Sequence, residues 1–542
     1  MLSFLVLNKG AVTQASILGV LLCLATALFS RSLLRGTSAK KYPAGPKGWP
    51  VIGNLLLFPD ISSGNDKTLS QMAKEYSGLC MLWLFSQPVT IVTKLRDAKE
   101  LMDKRGVIFS DRAKLNIVLQ KIWPNMLPLI GIGEKFRFLR RVYIDLLGPK
   151  PSLAVRKYQE YESRMMLRDL YKSPEAFRAH TERLSMSVIF SAVYGVRIGR
   201  LDYPIMHELF DVLTSSANYL LPGRVIVDYL PILERLPEFL QPWVWAANSL
   251  RRREDAIHTG FLAVLKKQIE AGADSYCFGI DILKLQKEKG LDDRLTLDIL
   301  KAIIVVGSET TSSMMQSFIK VLAMNPEAQK KAQEELDRVV GSSRLPTWED
   351  SPNLPYIRAL IKELHRFTPL FYVGLPHAST EEVNYNGLTI PKTILMPNAW
   401  AMSRDPERYE DPDTFAPERY LGDDLDAFTS AKQSDFQKRD HINYGWGRRL
   451  CQGIHLAENS LYMQVSRLLW AFDIATIPGE PPLNIHEKDE GFVKKPKAFR
   501  VSITPRSDEA VKVLLQSAEE AVTELPDADT VETFISLRKT LH

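Results

Sequence analysis

Cysteine is scarce in this chain: four in 542 residues, at Cys23, Cys80, Cys277 and Cys451, with no CxxC pair. That scarcity argues against a disulfide framework and against a zinc ribbon, and a reducing compartment is the simpler setting. Charge imbalance is missing too. A net charge of +5 is small for this length, and the lysines and arginines are spread widely. There is no basic tail or aromatic-interleaved basic stripe of the kind nucleic acid selects. No internal repeat or low-complexity run interrupts the sequence. The hydrophobic share of 45% and the charged share of 25% are those of a globular protein able to bury a large core.

One further absence is local. Residues 10–30, GAVTQASILGVLLCLATALFS, carry no charge, and a helix of that length crosses a bilayer. Lys9 alone precedes them, whereas Arg31, Arg35, Lys40 and Lys41 follow, so residues 1–9 are expected in the lumen and the rest on the cytoplasmic face. A cleaved signal peptide is the rival reading, but its basic cluster would stand before the apolar run. Residues 31–56 then form a basic, proline-rich leash, with Pro43, Pro46 and Pro50 among Gly45, Gly48 and Gly53. The main domain is expected over 57–505, mainly α with small β-sheets, followed by a peripheral tail at 506–542. Strand-like pieces lie at 88–93 and 382–390.

The longest helix is expected from Thr296 to Asn325, apolar on nearly every side in its first half and so buried. Inside it VVGSETTSS (305–313) is a poor way to build a core, because a mid-helix glycine costs about 1 kcal/mol relative to alanine. Two readings stay open. The hydroxyls bond back to the preceding turn and open a groove for a small polar ligand, or the small residues serve a close helix crossing. The next helices are expected over 326–341, ending on Gly341, and over 354–369. The second of these places Glu363 and Arg366 on one face. Such pairs usually decorate a solvated face, yet Ile357, Leu360, Ile361 and Leu364 share this helix. A buried pair needs further partners, and Arg419 of FAPERY (415–420) is a candidate.

Cys451 stands in NYGWGRRLCQG (443–453), a glycine-rich and cationic loop rather than an aliphatic setting. Gly445 and Gly447 allow close approach, so a thiolate at the loop tip suits an axial ligand to haem iron, with arginines meeting anionic groups on the rim. His455, four residues on, raises the alternative of a thiol nucleophile, but no oxyanion-hole or orienting-acid pattern accompanies it.

Taken together these stretches resemble the cytochrome P450 family, in order from about residue 40 to 505. YGWGRRLCQG is similar to FGxGxRxCxG, with Tyr444 for phenylalanine; VGSETT to AGxETT, with Val306 for a smaller residue; KELHR to ExxR; PERY to PERF, with Tyr420; and GEKFRFLRR (133–141) to WxxxR, with Phe136 for tryptophan. The resemblance implies a P450 fold behind an N-terminal transmembrane helix. It implies haem b held by Cys451, with Tyr444, Gly445 and Gly453 in the cofactor loop, and Arg449, Arg140 and His377 at the propionates. It also implies an oxygen groove and proton relay at Gly307, Glu309 and Thr310, and an ion network of Glu363, Arg366 and Arg419.

O2 and electrons from NADPH through cytochrome P450 reductase, with cytochrome b5 as a second donor, are implied likewise. Val305, Val306, Phe371, Val373 and Phe492 would face a lipophilic substrate, as would the segment 113–132, while 221–245 would dip into the endoplasmic reticulum membrane. Lys135, Arg137, Arg141, Lys438, Arg439 and Arg448 would steer an acidic reductase. GLPHAST and the run from Asn398 to Leu421 are similar to fungal members that oxidise secondary metabolites, such as the O-methylsterigmatocystin oxidoreductase group. An alkaloid, polyketide or terpenoid is the expected substrate, with sterols, fatty acids and xenobiotics as alternatives. A haem protein that binds a lipophilic ligand without turnover is the rival from another class, and the intact Glu309–Thr310 pair argues against it.

Overall fold

The computed structural model describes residues 40–113, 117–220, 225–229, 231–272 and 276–524. The uncharged run 10–30, most of the basic flank after it and residues 525–542 lie outside the described residues. Among the described residues no helix is long and apolar enough to cross a membrane.

Helices dominate, and the strands are short. In chain order the strands are β1 (Leu79–Leu84), β2 (Gln87–Val92), β3 (Asp111–Arg112), β4 (His377–Ala378), β5 (Val383–Tyr385), β6 (Leu388–Ile390), β7 (Ile394–Pro397), β8 (Phe472–Ala475) and β9 (Ser502–Pro505). One sheet has the order β1-β2-β7-β4-β3, with β2 and β7 parallel and the other neighbours antiparallel. Its last pairing sets Arg112 opposite His377. The expected strand at 382–390 is a hairpin, β5 and β6, turned by Asn386 and Gly387, both at positive φ as a tight two-residue turn requires.

The helices that position the site are α1 (Glu134–Leu147), α2 (Phe177–Tyr194), α3 (Pro242–Glu270), α4 (Asp293–Gly307), α5 (Thr310–Met324), α6 (Pro355–Phe367), α7 (Ile454–Ala471) and α8 (Asp508–Glu524). The single helix expected from Thr296 to Asn325 is thus two, interrupted at Ser308 and Glu309. The interruption is satisfied from outside: Ser185 on α2 donates to the Ser308 carbonyl at 2.8 Å. The tail does not begin as a loose extension. Helix α8 buries Ala510, Leu514, Ala518 and Ala521, the last two against Tyr161 and Met165.

The buried pair on α6 organises the segment that leads to Cys451. Glu363 and Arg366 are both fully buried, and their forks meet at 2.6 and 2.7 Å. The remaining Arg366 N–H groups donate to the carbonyls of Ser403, Pro412 and Thr414, so all five donors are used. Glu363 also accepts the Ala416 N–H, and Arg419 Nε lies 3.5 Å from it. The three ions expected to cluster therefore do. Removing one partner leaves the other buried without a countercharge, a loss of about 3–5 kcal/mol. Glu363→Gln is expected to lower the stability of the haem-loaded protein by about that amount, read from its urea unfolding curve; an unchanged midpoint would refute this role for the pair.

Candidate active site

The cysteine loop is pinned from several sides. The Cys451 N–H donates to the Tyr444 carbonyl at 2.8 Å, closing the loop on itself. Gly447 has φ +47, and a Cβ there would stand 2.4 Å from the Met102 carbonyl, so only glycine lets the loop lie against the π-helical turn Lys99–Lys104. Arg439 is expected on a basic surface but is 1% exposed. Its guanidinium donates to the His441 and Gly445 carbonyls and lies 4.2 Å from the Trp446 ring. It braces the loop from within. Lys135, Arg137, Arg141, Lys438 and Arg448 do remain exposed.

Cys80 and Cys277 are buried, whereas Cys451 is accessible. Burial nevertheless pushes the Cys451 thiol up to about 11, with only the Gly453 N–H opposing. A thiol that is both accessible and desolvated faces an interior space. Val306 tells the same story from α4, being 45% exposed while Ile303 and Ile304 are at most 2%. A Cβ on Gly453 would meet nothing within 4 Å.

The cationic setting does not by itself activate the thiol, because the loop arginine points elsewhere. Arg449 donates to the carbonyls of Ser110, Leu127 and Ile130 and lies over the Phe136 ring at 4.0 Å. His455 packs on Phe428, ring centroids 4.9 Å apart, and among the described residues no hydrogen bond joins it to Cys451. The arrangement of a thiol nucleophile with its base is not formed.

Around Arg449 the charges are out of balance. Burial lowers the pKa of Arg112, Arg449 and Arg140, Arg449 to about 10. Arg449 adds to the effect on Arg112, Arg140 to that on Arg449, and Arg448 to that on Arg140. Asp111 is the carboxylate that opposes it. Arg140 Nε is buried without a hydrogen-bond partner. His377 is buried beside them, with its Nδ1 proton on the Phe109 carbonyl at 2.8 Å, and burial and the arginines hold its pKa well below the usual value. Arg112 escapes a reading of the sequence: it stands one residue before the apolar stretch, and only the β3–β4 register places it opposite His377.

On α4 and α5 the expected relay residues fall unevenly. Thr310 Oγ1 donates to the Val306 carbonyl at 3.4 Å, the back-bond expected of a groove-forming hydroxyl. Burial raises the Glu309 carboxyl above the usual range, Glu182 and Asp489 add to this, and Lys495 opposes them. Gly307, expected in the oxygen groove, turns its bare face to α2, where a Cβ would lie 2.8 Å from Ile189 Cδ1. Its small size serves helix packing. Of the expected pocket residues, Phe371 and Phe492 meet with centroids 5.2 Å apart. Val305 is partly buried on the core, and Val373 is a core residue, 4% exposed in a cluster with Met396 and Trp400.

A family model for cytochrome P450 matches residues 43–503. The chain belongs to the cytochrome P450 family. It is 48% identical to the cytochrome P450 monooxygenase polD of Polytolypa hystricis, over 90% of this chain and 95% of that protein. It is 35% identical to the monooxygenase fogE of Aspergillus ruber, over 91% and 92%, and 34% identical to virE of Hypocrea virens, over 91% and 90%. The protein is thus an oxygen-incorporating oxidoreductase of the P450 kind, using haem b with a cysteine thiolate, O2 and electrons that a reductase draws from NADPH. The residues present fit that haem: an accessible thiol at an interior space, an open approach at Gly453, and a cluster of guanidiniums short of the anions that two propionates carry.

The raised thiol gives a pH dependence with a definite sign. In haem-free protein Cys451 is expected to alkylate slowly at pH 7 and about tenfold faster per pH unit until about 11, since the thiolate is the nucleophile. Peptide mapping of iodoacetamide adducts measures this; a fast, pH-independent reaction at Cys451 would contradict the desolvated setting.

Proposed function

We propose that this P450 is a membrane-tethered monooxygenase that oxidises a lipophilic fungal secondary metabolite, with Cys451 as its iron ligand. The observation that carries the ligand assignment is the accessible Cys451 thiol two residues after Arg449, whose guanidinium belongs to a cluster with Arg112 and Arg140. Bound haem supplies the oxygen-activating chemistry. Cys451 contributes the charge that stays on sulfur once a metal cation replaces its proton. Arg140, Arg112 and Arg449 would hold the cofactor's carboxylates. His377, whose Nδ1 proton is on the Phe109 carbonyl, would join them through Nε2 once their negative charge lets the ring take a second proton. Thr310 holds a proton on Oγ1 at the point where the helix is interrupted, and Glu309, the neighbouring residue whose carboxyl is raised above the usual range, would resupply it.

The apolar rings of Phe371 and Phe492, with Val305 and Val306, favour a lipophilic substrate of modest size. An alkaloid, polyketide or terpenoid is consistent with relatives that are fungal monooxygenases. Membrane tethering is supported by residues 10–30 and by exposed apolar side chains at Trp49, Leu56, Ile232, Phe239, Leu240 and Trp245. The charges flanking 10–30 favour a domain on the cytoplasmic face, and the membrane proposed for it is the endoplasmic reticulum. NADPH–cytochrome P450 reductase is the electron donor, with cytochrome b5 as a second.

The carbon monoxide difference spectrum of the reduced protein is expected to show the red-shifted thiolate band, and Cys451→Ala to lose it. No such band in wild type, or its survival in Cys451→Ala, would overturn the ligand assignment. Thr310→Ala is expected to keep the band while diverting most electrons to peroxide. Unchanged coupling of NADPH use to product would remove Thr310 from the relay.

A further inference from the structure

Tyr444 carries a hydroxyl where the family motif has a purely apolar ring, and that hydroxyl has a built receptor. Tyr444 Oη donates to Glu458 Oε1 at 2.6 Å. Glu458 stands on α7, which begins three residues after Cys451. The same oxygen lies 3.1 Å from His365 Nε2 on α6. The ring's proton can be located from its neighbours. Asn443 Oδ1 accepts the Leu370 N–H at 2.9 Å, which fixes the orientation of that amide and turns Nδ2 toward His365 Nδ1, also at 2.9 Å. An amide nitrogen only donates, so Nδ1 accepts and the imidazole proton sits on Nε2, directed at Glu458.

Glu458 Oε1 therefore receives two donors, one from the cysteine loop and one from α6. His441 closes the cluster as a plate stacked on His365, ring centroids 4.1 Å apart at 14°. The ligand atoms of His365, His441 and Glu458 lie within 4.8 Å of one another. Both His365 nitrogens are nevertheless spent, and the parallel rings do not converge on one point as the ligands of a metal ion do. The cluster is a hydrogen-bond chain.

Both ends of this chain bear on Cys451. Tyr444 is the residue whose carbonyl accepts the Cys451 N–H, and Asn443 next to it is tied to His365 on α6 and to the Leu370 N–H just beyond that helix. Helix α6 also carries the Glu363–Arg366 pair, and α7 carries the chain away from the cysteine. The Tyr444 hydroxyl stands 2.6 Å from a carboxylate oxygen, and a carboxylate only accepts, so the hydroxyl is the donor. We propose that Tyr444, Glu458 and His365 form a positioning network that ties the cysteine loop to both α6 and α7, so that the Tyr444 hydroxyl retains Cys451 as a thiolate ligand. The inference rests on Cys451 being the iron ligand, and its test separates the two.

The test uses the full-length, haem-loaded protein with Tyr444→Phe, Glu458→Leu, which removes the shared acceptor, and the double variant. Tyr444→Phe keeps the ring that the family motif carries and removes only the hydroxyl. The readout is the decay of the red-shifted band in the reduced, carbon monoxide-bound protein at elevated temperature, alongside melting of the helices by circular dichroism. Each single variant is expected to lose the band at least threefold faster than wild type with helix melting unchanged. The double variant is expected to decay no faster than the more affected single variant, because both break one link. Decay equal to wild type in both single variants, or effects that multiply in the double, would overturn the network. A wild type without the band would instead overturn the assignment of Cys451.

A measurement that does not depend on haem loading runs beside it. Amide hydrogen exchange in the peptide containing 443–453 of the haem-free protein is expected to rise at least threefold in Tyr444→Phe. Unchanged exchange there would also count against the network.

Discussion

The fork between Glu363 and Arg366 is the constraint on which the rest of the molecule depends. A fully buried ion pair is tolerated only when every remaining donor finds an acceptor, and Arg366 achieves this by reaching three carbonyls of a segment far along the chain. That requirement works in reverse. The segment from Ser403 to Ala416 has little regular structure to hold it, and it keeps its course because a guanidinium with a fixed geometry demands those carbonyls. From there Tyr409 and Tyr420 reach the Asp440 carbonyl, and Arg439 reaches back under Trp446. Local order passes from α6 to the cysteine loop through side chain-to-backbone bonds.

The site that this order supports is electrostatically unfinished. Three arginines lie where Asp111 is the opposing carboxylate, a thiol is pushed up to about 11 where the chemistry needs a thiolate, and a carboxyl is raised above its usual range. Each imbalance has the sign that a bound haem corrects or uses. Propionates would supply the missing anions, a metal cation would displace the thiol's proton to solvent, and a carboxyl raised above its usual range would be the readier proton carrier. The protein leaves room for charge that it does not itself contain.

Much of this was legible in the sequence because the legible parts are local. Ordered glycines, the i and i+3 pair on α6 and the lone cysteine in a cationic loop each mark a single turn of chain. What was hidden depends on distant neighbours. Gly307 looks like a groove residue until Ile189 is seen against it, and Val373 looks like pocket lining until its cluster is seen. Arg439 looks like surface charge, and Arg112 like nothing at all, because burial and strand register are not carried by composition. The tail offered helix-forming residues but no sign that small alanines on α8 match Tyr161 and Met165. The Tyr444 hydroxyl was an oddity until Glu458 and His365 gave it a destination.

Arg449 fastens the cysteine loop to the chain on both sides of β3, through the carbonyls of Ser110 before it and of Leu127 and Ile130 after it. Carbonyls are the same whatever side chain they carry. The clasp is therefore blind to sequence on its accepting side, and most side chains between Arg112 and Ile130 are free to be rewritten without loosening it. Sequence can change along that stretch while the loop that carries Cys451 keeps its anchorage.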